Sequence, residues 1–185
     1  MSDWPARIFD VHSHWGTRRG YPFQTPEELA QQERVFKSKP RYVTEDEMAE
    51  HFRALRVRAI LDLGVRAPQP IEVVRDLHDY AFATQRAHAD VIHGNWLHVD
   101  PRMGRDASDE LDRCLRQGSG FVGLGVPGAG FNVAANDPSY RPLYERERIR
   151  NGVILTGFGS LTDHAVTGVV GRLDQALYFP PSVEP

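Results

Sequence analysis

Residues 8–15 read Ile8-Phe9-Asp10-Val11-His12-Ser13-His14-Trp15, an apolar run that ends in two histidines one residue apart. Successive side chains of a β-strand point to opposite faces. That puts Asp10, His12 and His14 on one face and Phe9, Val11 and Ser13 on the other. Two imidazoles then stand together at the C-terminal end of a strand, where parallel α/β folds bind ligands. Neutral imidazole is a good ligand for Zn²⁺ and its neighbours. With eight histidines in 185 residues, chance supplies roughly 0.3 His-x-His pairs, so context has to decide the reading. Here the pair closes the first predicted strand, follows a carboxylate on the same face and opens a long polar loop.

Outward from this strand the chain alternates helix and strand signals. After a loop over residues 16–24, Thr25-Pro26-Glu27-Glu28 reads as an N-cap, a first-turn proline and a capping-box glutamate, opening a helix to Phe36. Residues 16–44 thus form an insertion over the strand end. Thr44-Glu45-Asp46-Glu47 is a second capping box, starting a helix to Leu55 with Met48, Phe52 and Leu55 on one face. An apolar strand over 58–64 follows, short and uniform as a strand covered on both faces should be. Further helices are predicted over 70–87, 106–117 and 138–150, alternating with strands over 91–99, 121–126 and 152–157. Residues 158–170 show no clear period, and 172–179 read as a short terminal helix.

Five strands in the order β(αβ)₄ call for a parallel sheet, right-handed crossovers and helices outside. A full eight-unit barrel typically takes about 250 residues. The expectation is therefore an α/β, incomplete TIM-barrel-like fold of five parallel strands: a single domain over residues 1–185, C-terminally incomplete. Five strands leave edges unpaired, so a homo-oligomer is expected.

A net charge of −3 with interspersed signs gives no basic field for nucleic acid and no polybasic stripe for a membrane. A small-molecule substrate is the expected partner. The single cysteine, Cys114, excludes an intrachain disulfide and sits on a helical stripe with Leu111 and Leu115, which assigns it to packing. No signal peptide or transmembrane run is seen, and a cytoplasmic location is expected. Pro127-Gly128-Ala129-Gly130 lacks a phosphate-loop lysine and receives no phosphate role.

His12 and His14 are the candidate metal ligands, with Zn²⁺ expected and Mn²⁺ as the alternative; no catalytic residue is assigned. Candidate pocket residues are Asp10, placed to orient a ligand histidine, with Trp15, Arg18, Arg19, His98, Thr156 and His164. Arg18 and Arg19 could meet an anionic substrate or form a solvated pair. His98, near the end of its strand, could line the same pocket, whereas His93 reads as structural. Two histidines make an open site, since catalytic zinc normally has three protein ligands. The third is left between His98 and His164.

Asp10-Val11-His12-Ser13-His14, the long loop after it, Val99-Asp100-Pro101-Arg102, Gly120-Phe121-Val122-Gly123-Leu124 and Asp137-Pro138-Ser139-Tyr140-Arg141-Pro142-Leu143-Tyr144 together resemble the amidohydrolase-related family. The resemblance covers most of residues 7–157. It implies the N-terminal part of a (β/α)₈ barrel, with His12 and His14 as the first-strand metal ligands. The implied activity is metal-dependent hydrolysis of a small carboxylate-bearing or cyclic substrate through metal-activated water. The alternatives are non-oxidative decarboxylation of an aromatic acid, or a catalytically inactive remnant or interaction fragment. The chain departs from the family's pattern at Leu155-Thr156, where a fifth-strand histidine would stand, and has no counterpart of its sixth-strand histidine or eighth-strand aspartate. A related phosphoesterase or deoxyribonuclease is disfavoured because Val122-Gly123-Leu124-Gly125 lacks the metal-binding glutamate implied there.

Overall fold

The fold is described from a computed structural model, for residues 8–21, 26–37, 39, 41–63, 65, 68–117, 120–127, 131–149, 153–158 and 166–170. Strands β1 (Ile8–His14), β2 (Val57–Asp62), β3 (Ile92–His98), β4 (Phe121–Pro127), β5 (Val153–Phe158) and β6 (Val166–Val170) form one sheet in sequence order. The first five run parallel, and β6 pairs antiparallel with β5. Helices α1 (Pro26–Phe36), α2 (Glu45–Leu55), α3 (Ile71–Ala87), α4 (Arg105–Arg116) and α5 (Arg141–Ile149) fall between the strands. Among the described residues the sheet does not close into a barrel.

Local chemistry sets these boundaries. The Thr44 hydroxyl accepts from the Glu47 backbone N–H at 3.2 Å, and the Glu47 carboxylate accepts from the Thr44 N–H at 2.8 Å, completing the predicted capping box of α2. Arg56, in the left-handed region at φ 55°, ends that helix and turns the chain directly into β2. Asp100 and Asp137 cap two single 3₁₀ turns, each carboxylate accepting from the N–H two residues on. The expected stripe on α3 is buried at Val74, Leu77 and Ala81, but Leu55 at the end of α2 is exposed.

The sixth strand departs from the five expected. Its sequence, Val166-Thr167-Gly168-Val169-Val170, is rich in β-branched residues, but Gly168 breaks the alternation that would have marked it. The predicted helix over 172–179 lies outside the described residues.

A second departure bears on the site. β1 pairs Asp10 with Ala59 but Ser13 with Leu61 and His14 with Asp62, so an extra residue is accommodated between Asp10 and Ser13. The bulge reverses the alternation. Ala59 and Leu61 belong to the helix-side core, so Asp10 shares its side of the sheet with Ser13 and not with His14. Similar shifts at Ala59/Ile60 against β3 and at Asn95/Trp96 against β4 explain why β3 shows no clean two-residue period.

The main core lies between the sheet and the helices, with Leu61, Ile92, Leu97, Leu111 and Leu124 all fully buried. On the other face Ile60, Trp96 and Val122 form a smaller cluster. An open sheet is expected to leave that inner face partly wet: Val122 is half-buried, but Ile60 is buried because Trp96 packs on it. The Trp96 indole N–H donates to the Val11 carbonyl at 3.1 Å, tying β3 to β1 across β2.

Where α3 meets α4, Glu110 is fully buried yet ionised. Arg113 donates to both its oxygens at 2.7 and 2.9 Å, the His78 Nδ1 lies 2.7 Å away, the Cys114 thiol donates at 3.0 Å and Arg75 approaches to 3.4 Å. Burial pushes the carboxyl up, but hydrogen bonds from His78 and Arg113 outweigh it and hold the pKa at about 2. Burial also lowers the pKa of His78. Cys114 is in the packing role expected of it, its thiol pushed up by burial and by Glu110 despite a histidine neighbour that the sequence alone did not reveal.

Both shifts run in one direction with pH. Unfolding lets His78 take a proton below about pH 6.5 and Glu110 below about pH 4.5, while the folded protein resists both, so stability falls as pH drops through that range toward 2. The Glu110 contribution alone is roughly 3 kcal/mol. Urea unfolding at pH 7, 5 and 3.5 should show a steep loss for the wild type and a clearly shallower one for Glu110→Gln. Parallel pH dependences would refute the assignment.

Candidate metal centre

The C-terminal ends of β1, β2 and β3 converge on one carboxylate. Asp62, the last residue of β2, lies with Oδ2 3.0 Å from the His12 Nε2 and Oδ1 2.6 Å from the His98 Nε2. His12 and His14 stand edge to face with ring centroids 5.0 Å apart, and His14 contacts the Tyr21 ring at 5.6 Å. Side-chain exposure is 19% for His12, 13% for Asp62 and 3% for His98, so the cluster opens to solvent on the β1 side. Burial raises the Asp62 carboxyl, but His98 beside it and the hydrogen bonds with His12 and His98 outweigh that and hold it well below the usual carboxylate range.

The residues expected at the site divide clearly. His12, His14 and His98 are brought together. Asp10 is on the far side of the bulge, where its carboxylate accepts from the His12 backbone N–H at 3.0 Å and shapes the strand instead of orienting an imidazole. Trp15 is not a pocket residue: it is buried in the helix-side core against Tyr80, ring centroids 5.1 Å apart. Arg18 lies over the Tyr42 ring at 5.2 Å, and Arg19 pairs with Asp76 at 2.9 Å and lies over Tyr80. Both residues are exposed at the surface. Thr156 sits on β5 in register with Val126, and His164 lies outside the described residues. His93 packs edge-on against Phe9, as a structural histidine would.

Asp62 is the residue that the sequence reading missed. A carboxylate closing an otherwise apolar strand, destined for burial, needs a partner, and that was the available signal.

His12, His14 and Asp62 each offer a ligand atom, and the three atoms lie within 4.8 Å of one another. Two imidazole nitrogens and a carboxylate oxygen suit Zn²⁺ or Mn²⁺. His78, Glu110 and Cys114 meet the same spacing, but there Arg113 and Arg75 already supply the positive charge.

No protein-family model matches the sequence, and neither does any curated protein. Solved structures do match. An amidohydrolase II superposes with a TM-score of 0.58 at 16% identity over 80% of this chain and 49% of its own. The 5-carboxyvanillate decarboxylase of Sphingomonas paucimobilis gives 0.57 at 15% over 80% and 51%. A dihydroxybenzoic acid decarboxylase of Polaromonas sp. JS666, holding manganese and the inhibitor 2-nitroresorcinol, gives 0.58 at 17% over 85% and 51%. The fold is thus that of the amidohydrolase-related barrels, unclosed. The chain spans about half the length of each of these structures.

Proposed function

We propose that the chain holds a divalent metal ion through His12 and His14 and serves a metal-dependent hydrolase of the amidohydrolase-related kind, acting on a small carboxylate-bearing or cyclic substrate. The observation that carries this reading is the imidazole pair at the end of β1 with the Asp62 carboxylate beside it. When bound, such an ion supplies Lewis acidity, which activates water near neutral pH or polarises a carboxyl group. The chain's own residues would do the rest: His12 and His14 would offer imidazole nitrogens, and Asp62 would offset the positive charge. On the inner face the Trp96 ring covers Ile60, giving the sheet beneath the cluster an apolar floor.

Decarboxylation of an aromatic acid is the second reading, supported by two matched structures being decarboxylases of such acids. Zn²⁺ remains the ion we favour, with Mn²⁺ as the alternative suggested by the manganese-bound structure. No helix among the described residues is long and apolar enough to cross a membrane, and the buried free thiol of Cys114 supports placing the protein in the reducing cytoplasm.

Elemental analysis of the protein purified without chelators tests the proposal. About one divalent ion per chain is expected; a metal content at background after incubation with Zn²⁺ or Mn²⁺ refutes it. With the loaded protein, CO₂ release from aromatic carboxylic acids against hydrolysis of esters and amides separates the two readings.

A further inference from the structure

We infer that Asp62 at the end of β2 is itself a ligand of the divalent ion, and that His98 on β3 is the positioning residue that aims its carboxylate. The inference rests on the metal reading above and assigns the ion a third protein ligand.

The two oxygens of Asp62 have separate duties. Oδ1 is engaged at 2.6 Å by His98, a ring that is almost wholly buried, while Oδ2 is left on the side of His12 and His14. Ligand atoms about 2.0–2.2 Å from a tetrahedral or octahedral ion stand roughly 3.0–3.4 Å from one another. The His12 Nε2 and the Asp62 Oδ2 are 3.0 Å apart, so both can bind one ion without movement of the backbone.

His98 is placed to orient rather than to ligate. Its Nε2 faces Asp62, and its Nδ1 is buried with no hydrogen-bonding partner, so the tautomer carrying the proton on Nε2 is the one its surroundings satisfy. The ring lies directly over Gly125, its register partner on β4, where an added Cβ would collide with the imidazole. That close approach fixes the ring plane, and the ring plane fixes the carboxylate. Partners of this kind behind a metal ligand commonly account for about 10–100-fold in affinity.

The test is titration of metal-free wild type, Asp62→Asn, His98→Leu and His98→Gln with Zn²⁺ against a chromophoric chelator, with Co²⁺ absorption spectra of each. Asp62→Asn keeps shape and hydrogen bonding but removes the anionic ligand. It should weaken binding by more than about 100-fold, beyond the range of a supporting residue, and change the Co²⁺ spectrum. His98→Leu should weaken binding by about 10–100-fold, and His98→Gln, whose side-chain amide can donate to Oδ1, should recover most of that. Circular dichroism establishes that each variant is folded; should His98→Leu unfold, Asp62→Asn and His98→Gln still carry the test. Asp62→Asn binding within twofold of wild type with an unchanged Co²⁺ spectrum overturns the ligand assignment and leaves the metal reading standing. A folded His98→Gln that binds no better than a folded His98→Leu overturns the positioning role. Failure of wild type to bind at all overturns the metal reading itself.

Discussion

Replacing His12 and His14 together by Ala is expected to lower divalent-metal affinity by more than about a thousandfold while leaving the fold in place. Loss of a residue merely supporting a ligand commonly costs about 10–100-fold, and here two ligands disappear. The fold should survive because His12 and His14 sit at the solvent-facing end of β1, outside the helix-side core built on Leu61, Leu97, Leu111 and Leu124. The change does strip Asp62 Oδ2 of its His12 partner, a cost of about 1–3 kcal/mol for a partly buried acceptor, so a Tm lowered by several degrees is part of the expected result. Equal metal content in wild type and the double variant, measured on folded protein, would remove the basis for the site.

The second large effect concerns association. We propose that the chain self-associates through β1. Among the described residues β1 pairs on one side only, with β2, and Ile8, Phe9 and Val11 are 36%, 49% and 46% exposed. No proline or lysine interrupts Ile8–His14 to blunt the edge. Each apolar side chain left wet forgoes about 25 cal/mol per Å², and a second copy laid against the edge recovers both that area and the strand's open backbone groups. Sedimentation at micromolar concentration should show dimers or larger species for wild type and a shift to monomer for Phe9→Lys/Val11→Lys. A wild-type chain that sediments as a monomer and unfolds cooperatively would refute the proposal.

What could be read in advance follows the range of the interactions involved. The capping box at Thr44 and Glu47 is complete within four residues, and the α3 stripe of Val74, Leu77 and Ala81 needs only a helical period, so both were visible. The His12 and His14 pair was visible for the same reason. Asp10 was misplaced because a bulge is invisible to strict alternation: its cause lies partly in how β1 registers against Ala59 and Leu61, fifty residues away. Trp15 was misplaced for a related reason, since its burial depends on Tyr80 of α3. Asp62 looked like the polar end of a strand until β1 and β3 set His12 and His98 on either side of it. The inner face is dry at Ile60 only because Trp96 packs there, a contact no period predicts, while Val122 stays half-buried as an open sheet implies.

The Gly125 contact has a consequence for how the sequence can change. Because any β-carbon at residue 125 would strike the His98 ring, the two positions are not free to drift independently. A lineage can replace His98 first and then tolerate a larger residue at 125, whereas the opposite order forces the imidazole off Asp62 before any substitute is present. The order of substitution is thereby constrained on a strand that contributes no atom to the cluster. An imidazole at 98 facing a non-glycine residue at 125 in a relative with this register would mark a rebuilt centre, not a conserved one.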